Sequence, residues 1–240
     1  MDLSNTAAIV TGAASGLGAA TAAALTAAGA TVHGFDLKGA IDVDVTDPSA
    51  VRDAVAVAAG GPAPLRVVVN CAGIAPSARI VGRAGVHDLA MYAKVVQVNL
   101  IGTFNVMALA AERMAATAPD AHGQRGVIVN TASVAAYDGQ IGQAAYASSK
   151  GGIAALTLPA ARDLAQHGIR VMTIAPGIMS TPMLETVSEE YRAGLAAGVP
   201  FPARLGTPAE YAALVLSIVA NDYLNGEVIR LDGALRMAPR

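Results

Sequence analysis

Tyr146 and Lys150 stand four residues apart in "YASSK", and Ser133 lies thirteen residues before the tyrosine. On a helix, an i, i+4 pair shares one face, so phenol and ammonium can reach the same small molecule. The chain has six Tyr and three Lys in 240 residues, so a Tyr-x-x-x-Lys match by chance is expected only about 0.08 times. The chemistry that fits is removal of a hydroxyl proton while hydride leaves the adjoining carbon. A phenol with a pKa of about 10 is a poor base at neutral pH; moving it to near 7 takes about 3 units, or roughly 4 kcal/mol. Nearby positive charge can supply a shift of that order, which gives Lys150 a chemical role. Ser133 is placed to donate to the reacting oxygen, although taken singly it fits a turn or helix cap. Packing of a surface lysine against a tyrosine ring is the competing explanation for the pair.

The elements that would position these groups can be read from hydrophobic runs. "TAAIV" (6–10), "TVHGFD" (31–36), "PLRVVVN" (64–70), "GVIVNTAS" (126–133), "IRVMTIAP" (169–176) and "GEVIRLDG" (226–233) read as strands, with a further short strand before Asp44. Alanine-rich stretches between them read as helices: 16–28 is ended by Gly29, and a second runs from the Tyr-Lys pair to about Gln166. Near-continuous apolar strands imply a sheet covered on both faces. The alternation predicts an α/β fold, a doubly wound parallel sheet in one domain spanning 1–240. The segment 178–201, bounded by Pro182, Pro200 and Pro202, breaks the rhythm and reads as a small lid. Only four residues separate Asp36 from Ile41, too few for a crossover helix, so the helix after the second strand is expected to be missing.

Directly after the first strand comes "TGAASGLG", with Gly12, Gly16 and Gly18. Bare glycines allow a tight turn and let backbone N–H groups approach a pyrophosphate at a helix N-terminus. Asp36 closes the second strand about 20 residues on, where a carboxylate accepts from ribose hydroxyls and repels a 2'-phosphate. NAD is therefore expected over NADP.

Composition narrows the classes. Charged residues make up 14% of the chain, the net charge is -2, and no Lys/Arg block offers a surface for nucleic acid. Cys71 is the single cysteine and the four histidines lack ligand spacing, so neither a disulfide nor a metal is expected. Residues 3–35 carry no Asp, Glu, Lys or Arg, but five glycines and many Ala, Thr and Ser argue against membrane insertion. "MDLSN" lacks the basic start of a secretory signal, leaving a cytoplasmic location as the expectation.

Taken in order, "TGAASGLG", the "NCAG" of Asn70, Cys71, Ala72 and Gly73, Asn99 in "VNLIGT", Ser133, "YASSK" and the "PG" of Pro176 and Gly177 resemble the short-chain dehydrogenases/reductases over essentially the whole chain. The resemblance implies a Rossmann-like sheet of about seven strands, commonly in a homotetramer, with Asn99 holding a water that links Lys150 to solvent. Longer stretches, among them "GQRGVIVNTASVAAYDGQIGQAAYASSKGGI", are similar to one branch of that family, which acts on 3-hydroxyacyl-CoA. That likeness implies an NAD site lined by Ser15, Leu17, Asp36, Asp44, Val45, Cys71, Tyr146, Lys150, Met179 and Thr181. A buried packing role suits Cys71 equally. Gln140 and Gln143 fit substrate contact or a surface loop.

The function expected is NAD-dependent oxidation of the 3-hydroxy group of acyl-CoA thioesters, the reverse being ketoacyl reduction. A hydroxysteroid or other apolar secondary alcohol is the alternative within the same chemistry. A non-catalytic sensor or scaffold needs only the glycines and Asp36, so an intact Ser133, Tyr146 and Lys150 argues against it. Arg79, Arg83 and Lys94 fit solvated charges better than contacts to CoA phosphates.

Overall fold

The computed structural model describes residues 1–38, 41–83, 85–185 and 188–239. Its centre is a seven-stranded sheet: β1 (Ala7–Thr11), β2 (Thr31–Asp36), β3 (Ile41–Asp42), β4 (Leu65–Asn70), β7 (Gly126–Thr131), β8 (Ile169–Pro176) and β9 (Val228–Leu231), while β5 (Val81–Gly82) and β6 (Gly85–Val86) form a separate hairpin. The order across the sheet is β3-β2-β1-β4-β7-β8-β9, and every pairing in it is parallel. The chain reverses its direction of travel between β1 and β4, where open sheets of this kind leave a crevice at the strands' C-terminal ends.

The apolar strands separate two cores. Ile9, Val68, Ile128 and Val171 face one side, and Ala8, Val10, Val67, Val69, Val127, Val129 and Met172 the other, as the two-residue period of a strand requires. The first layer is covered by α2 (Pro48–Ala59), α4 (Gly102–Ala115) and α5 (Ala144–Ala165), the second by α1 (Gly16–Ala27) and α8 (Pro208–Ala220). Sequence caps set two of these helices. Asp47 accepts from the N–H groups of Ser49 and Ala50 ahead of α2, and Thr207 with Glu210 forms a reciprocal capping box on α8.

Where the structure departs from the sequence reading, the cause is local. β7 ends at Thr131, not Ser133, because Ser133 Oγ accepts from Ala135 N and opens a 3-10 turn at Val134–Ala136. β9 shrinks to 228–231. β3 is a two-residue stub paired through Phe35 with Ile41 and Asp36 with Asp42, so no crossover helix is needed; none stands there among the described residues, with 39–40 outside them. The lid contains α6 (Pro182–Glu185) and α7 (Glu189–Ala197); residues 186–187 of the expected segment lie outside the described residues. The uncharged 3–35 stretch resolves into β1, α1 and β2. A helix apolar and long enough to cross a membrane by composition runs instead from Leu89 to Ala115, comprising α3 (Leu89–Val96), a π-helical turn (Gln97–Ile101) and α4. It packs Val95, Val106, Met107, Ala110 and Met114 inside the protein.

Candidate active site

The strand ends meet at a cleft of about 600 Å³. From the first turn it receives Gly12, Ser15, Gly16, Leu17 and Gly18; from the ends of β2 and β3, Asp36, Asp44 and Val45; and from the turn after β4, Cys71, Ala72 and Gly73. Ser133, Gln140, Gln143, Tyr146 and Lys150 line it from the β7–α5 side, and Pro176, Gly177, Met179 and Thr181 from the β8 side. Asn70 and Asn99 do not. Asn70 is buried at the end of β4, where its Nδ2 donates to Asn130 Oδ1 at 2.9 Å and ties the two strands together.

The first turn is built bare. Gly12 and Gly16 adopt φ of 67° and 52°, the left-handed region that favours glycine. A Cβ on Gly18 would sit 2.1 Å from Gly12 O, inside any van der Waals contact. Ser15 makes no side-chain capping bond and α1 carries no acid in its first turn, so the helix's N-terminal amides and its positive dipole end are presented to an anion. Asp36 Oδ2 accepts from Ala14 N at 3.0 Å and Oδ1 from Lys38 N at 3.3 Å, which fixes the carboxylate beside that turn. Asp44 accepts from Thr46 N and Thr46 Oγ1, and these bonds lower its pKa. These features suit a dinucleotide: a pyrophosphate at the glycines and a ribose at Asp36.

Two groups hold the turn after β4, of which sequence reasoning singled out the second and missed the first. Thr11 Oγ1 accepts from both Cys71 N and Ala72 N, at 3.1 and 3.0 Å. Asn99, in the π-helical turn, accepts from Ile74 N at 2.8 Å and donates to Ile74 O and Ser149 Oγ. A π turn shifts the side-chain register by one position, and such turns recur at functional sites. The Asn99 amide thus fixes the loop beside Lys150. Cys71 lines the cleft beside Tyr211 and Thr131, and burial raises its thiol pKa, which suits packing better than reactivity.

At the chemical centre, Lys150 is 4% exposed and its Nζ donates to Thr131 O at 2.6 Å. Its ammonium lies 5.8 Å from the centroid of the Tyr146 ring. Burial depresses the lysine to about 8. Burial raises the Tyr146 phenol, while a hydrogen bond to Ser133 lowers it. Ser133 Oγ therefore serves both as cap and as partner to the phenol. The protein by itself pushes both members of the pair toward their neutral forms.

The lysine shift has a measurable consequence. Its folded pKa of about 8 lies below the ordinary 10.5, so between those values the unfolded chain binds more protons and stability rises with pH. Wild type is expected to gain on Lys150→Met by up to about 3 kcal/mol across that window, read from urea unfolding without added coenzyme. A difference independent of pH contradicts the burial of a titrating ammonium.

A parallel sheet with a glycine-rich first turn, an acid at the end of β2 and a Ser-Tyr-Lys set at the switch point defines a dinucleotide-dependent oxidoreductase. The family model for short chain dehydrogenase matches residues 6–192, and the chain belongs to that family. It is 51% identical over 249 residues to 3-hydroxyacyl-CoA dehydrogenase type-2 of Bos taurus, and equally to that of Homo sapiens, covering 97% of this chain and 95% of each relative. The crystal structure of 3-hydroxyacyl-CoA dehydrogenase type-2 from Mycobacterium avium superposes with a TM-score of 0.94 at 44% identity, covering 99% of this chain and 98% of that one.

Proposed function

We propose that the protein oxidises the 3-hydroxy group of acyl-CoA thioesters with NAD, and reduces 3-ketoacyl-CoA in reverse. The observation that carries the reading is that Ser133, Tyr146 and Lys150 line one cleft with the glycine turn and Asp36, in a chain half identical to enzymes named for that substrate. Oxidised nicotinamide supplies the hydride acceptor and a positive charge. Tyr146 takes the substrate hydroxyl proton; Ser133 donates to the same oxygen and steadies its developing charge. Lys150, its Nζ donating to Thr131 O and lying 5.8 Å from the Tyr146 ring centroid, keeps a cation beside the phenol and passes the proton on. Because burial raises the phenol, the positive charge of a bound oxidised coenzyme would add to that of the ammonium in favouring its deprotonation.

Asp36 supports NAD as the coenzyme, since its carboxylate beside the first turn repels a 2'-phosphate. Wild type is expected to favour NAD over NADP by at least about tenfold in kcat/KM, and Asp36→Ala to lose most of that preference; an unchanged ratio in the variant removes the assigned role. Leu184, Leu195 and Met179 from the lid side give the cleft an apolar wall suited to an acyl chain. Lys94 also lines the cleft and lowers Asp44, on the adenosine side, whereas Arg79 and Arg83 are exposed and off it, as solvated charges would be. An absorbance screen for NADH with 3-hydroxyacyl-CoAs and hydroxysteroids tests the reading: turnover of thioesters in preference to steroids is expected, and steroid turnover alone overturns the substrate.

A homotetramer is part of the proposal. Ile101, Phe104 and Leu158 on α4, its preceding π turn and α5 are about half exposed, and an apolar hollow lined by Leu100, Phe104, Ala155 and Leu156 lies among them. A second copy of the same face would cover it. The reduced, unpaired Cys71 suits the cytoplasm.

A further inference from the structure

The C-terminal residues fold back over the cleft. Ala234 takes a φ of 65° and turns the chain after β9, and Leu235 beyond it is buried. That turn is seated against the end of the lid: Phe201 N donates to Gly233 O at 3.3 Å, and a Cβ on Gly233 would lie 2.6 Å from Val199 Cγ1. Past the turn, three successive residues are tied to the loop between the 3-10 turn and α5. Met237 N donates to the Asp138 carboxylate, Gln140 Nε2 donates to Ala238 O at 2.9 Å, and Ile141 N donates to Pro239 O at 3.0 Å. Arg230 of β9 locks the arrangement by donating to Asp138, to Asp232 at 2.7 Å and to Leu235 O at 3.0 Å. The loop so held is the one that brings Gln140 and Gln143 into the cleft, and Gln140 N donates to Gln143 Oε1 at 3.0 Å. Met237 enters the same cleft as Leu184 and Leu195 of the lid.

From this geometry we propose that residues 235–239 form a strap fixing the size of the substrate end of the cleft, with Met237 as a specificity-determining residue that limits the bulk next to the reacting carbon. The inference rests on the dehydrogenase reading above. A methionine on a free tail would swing aside for any substrate. Here the backbone on both sides of it is hydrogen-bonded, so the side chain's volume is subtracted from the space available to substrate. Gln143 and Tyr146 lie one turn apart on the tethered segment, so the strap also fixes the loop from which the catalytic helix starts.

The test is a ratio measured within one preparation, so that a general loss of active protein cancels: kcat/KM for a long-chain 3-ketoacyl-CoA over that for acetoacetyl-CoA. A bulky and a small apolar ketone are run in parallel. Met237→Trp is expected to lower the ratio at least about tenfold and Met237→Ala to raise it. Asp138→Asn, which weakens the tether from outside the cleft, is expected to move it in the same direction as Met237→Ala. Ratios equal to wild type in both Met237 variants, or shifted the same way in both, overturn the proposal, and an unchanged Asp138→Asn ratio overturns the tether. Should wild type reduce the ketones and no thioester, the acyl-CoA reading falls, while the ketone ratio still judges the strap.

Discussion

Tyr146→Phe is expected to lower kcat for alcohol oxidation by about a thousandfold or more while leaving NAD affinity within a few-fold of wild type. The size follows from what is removed. General-base catalysis contributes about 10²–10⁴-fold, and the phenol, proposed as the proton acceptor, is hydrogen-bonded to Ser133 and lines one cleft with the glycine turn. The ring itself is kept in the variant, so the partly buried position stays filled and the helix start at Ala144 is undisturbed. Ser133 cannot substitute, because its oxygen already accepts from Ala135 N and its hydroxyl is far less acidic than a phenol. Lys150 cannot either: its Nζ is held by Thr131 O. Single-turnover kinetics with titration of NAD by tryptophan-independent means such as calorimetry separates the two effects. Undiminished turnover removes the tyrosine from the mechanism, and loss of NAD binding alone recasts it as a coenzyme contact.

Gly18→Ala is expected to have the second largest effect, on coenzyme binding and stability together. The added methyl would stand 2.1 Å from Gly12 O and 2.6 Å from Gly12 C, both backbone atoms that no side-chain rotation can move. Either α1 withdraws from the turn or the turn opens, and in both cases the amides no longer converge on one point. Gly151→Ala is the control: it lies inside α5, and nothing stands within 4 Å of its would-be Cβ. That change is expected to be neutral or to stabilise by up to about 1 kcal/mol, because alanine restricts the unfolded chain. The Gly18 variant should show NAD affinity weakened at least about a hundredfold and a lower melting temperature. Wild-type NAD affinity in Gly18→Ala refutes the packing described for the first turn.

The contrast between these glycines also explains what was legible in the sequence. The turn glycines, Asp36 and the Tyr146–Lys150 pair announce themselves because their function depends on short spacing along one chain segment, and the apolar strands because burial on both faces leaves no polar positions. The β2–β3 connection was legible for a similar reason, since four residues set a hard limit on what can be built. Thr131, Thr11 and Tyr211 carry no such mark. Thr131 O meets Lys150 across 19 residues of chain, and the Thr131 hydroxyl binds Asn70 O and Tyr211 OH across 61 and 80. The π-helical turn at Asn99 disturbs hydrophobic periodicity over too few residues to be seen. Met237 reaches the cleft only because a tail more than 90 residues away from Asp138 in the chain is tied to it. The motif marks Asn70, but only the neighbouring strand shows that its side chain donates to Asn130.

The most direct measurement follows the hydrogen on the carbinol carbon. Wild-type protein is given NAD and 3-hydroxybutyryl-CoA deuterated at C3, and the label is traced by mass spectrometry and NMR. Deuterium recovered on the nicotinamide ring of NADH, with acetoacetyl-CoA as co-product, is the result the account predicts. Label released to water, or no NADH from any 3-hydroxyacyl thioester, contradicts it.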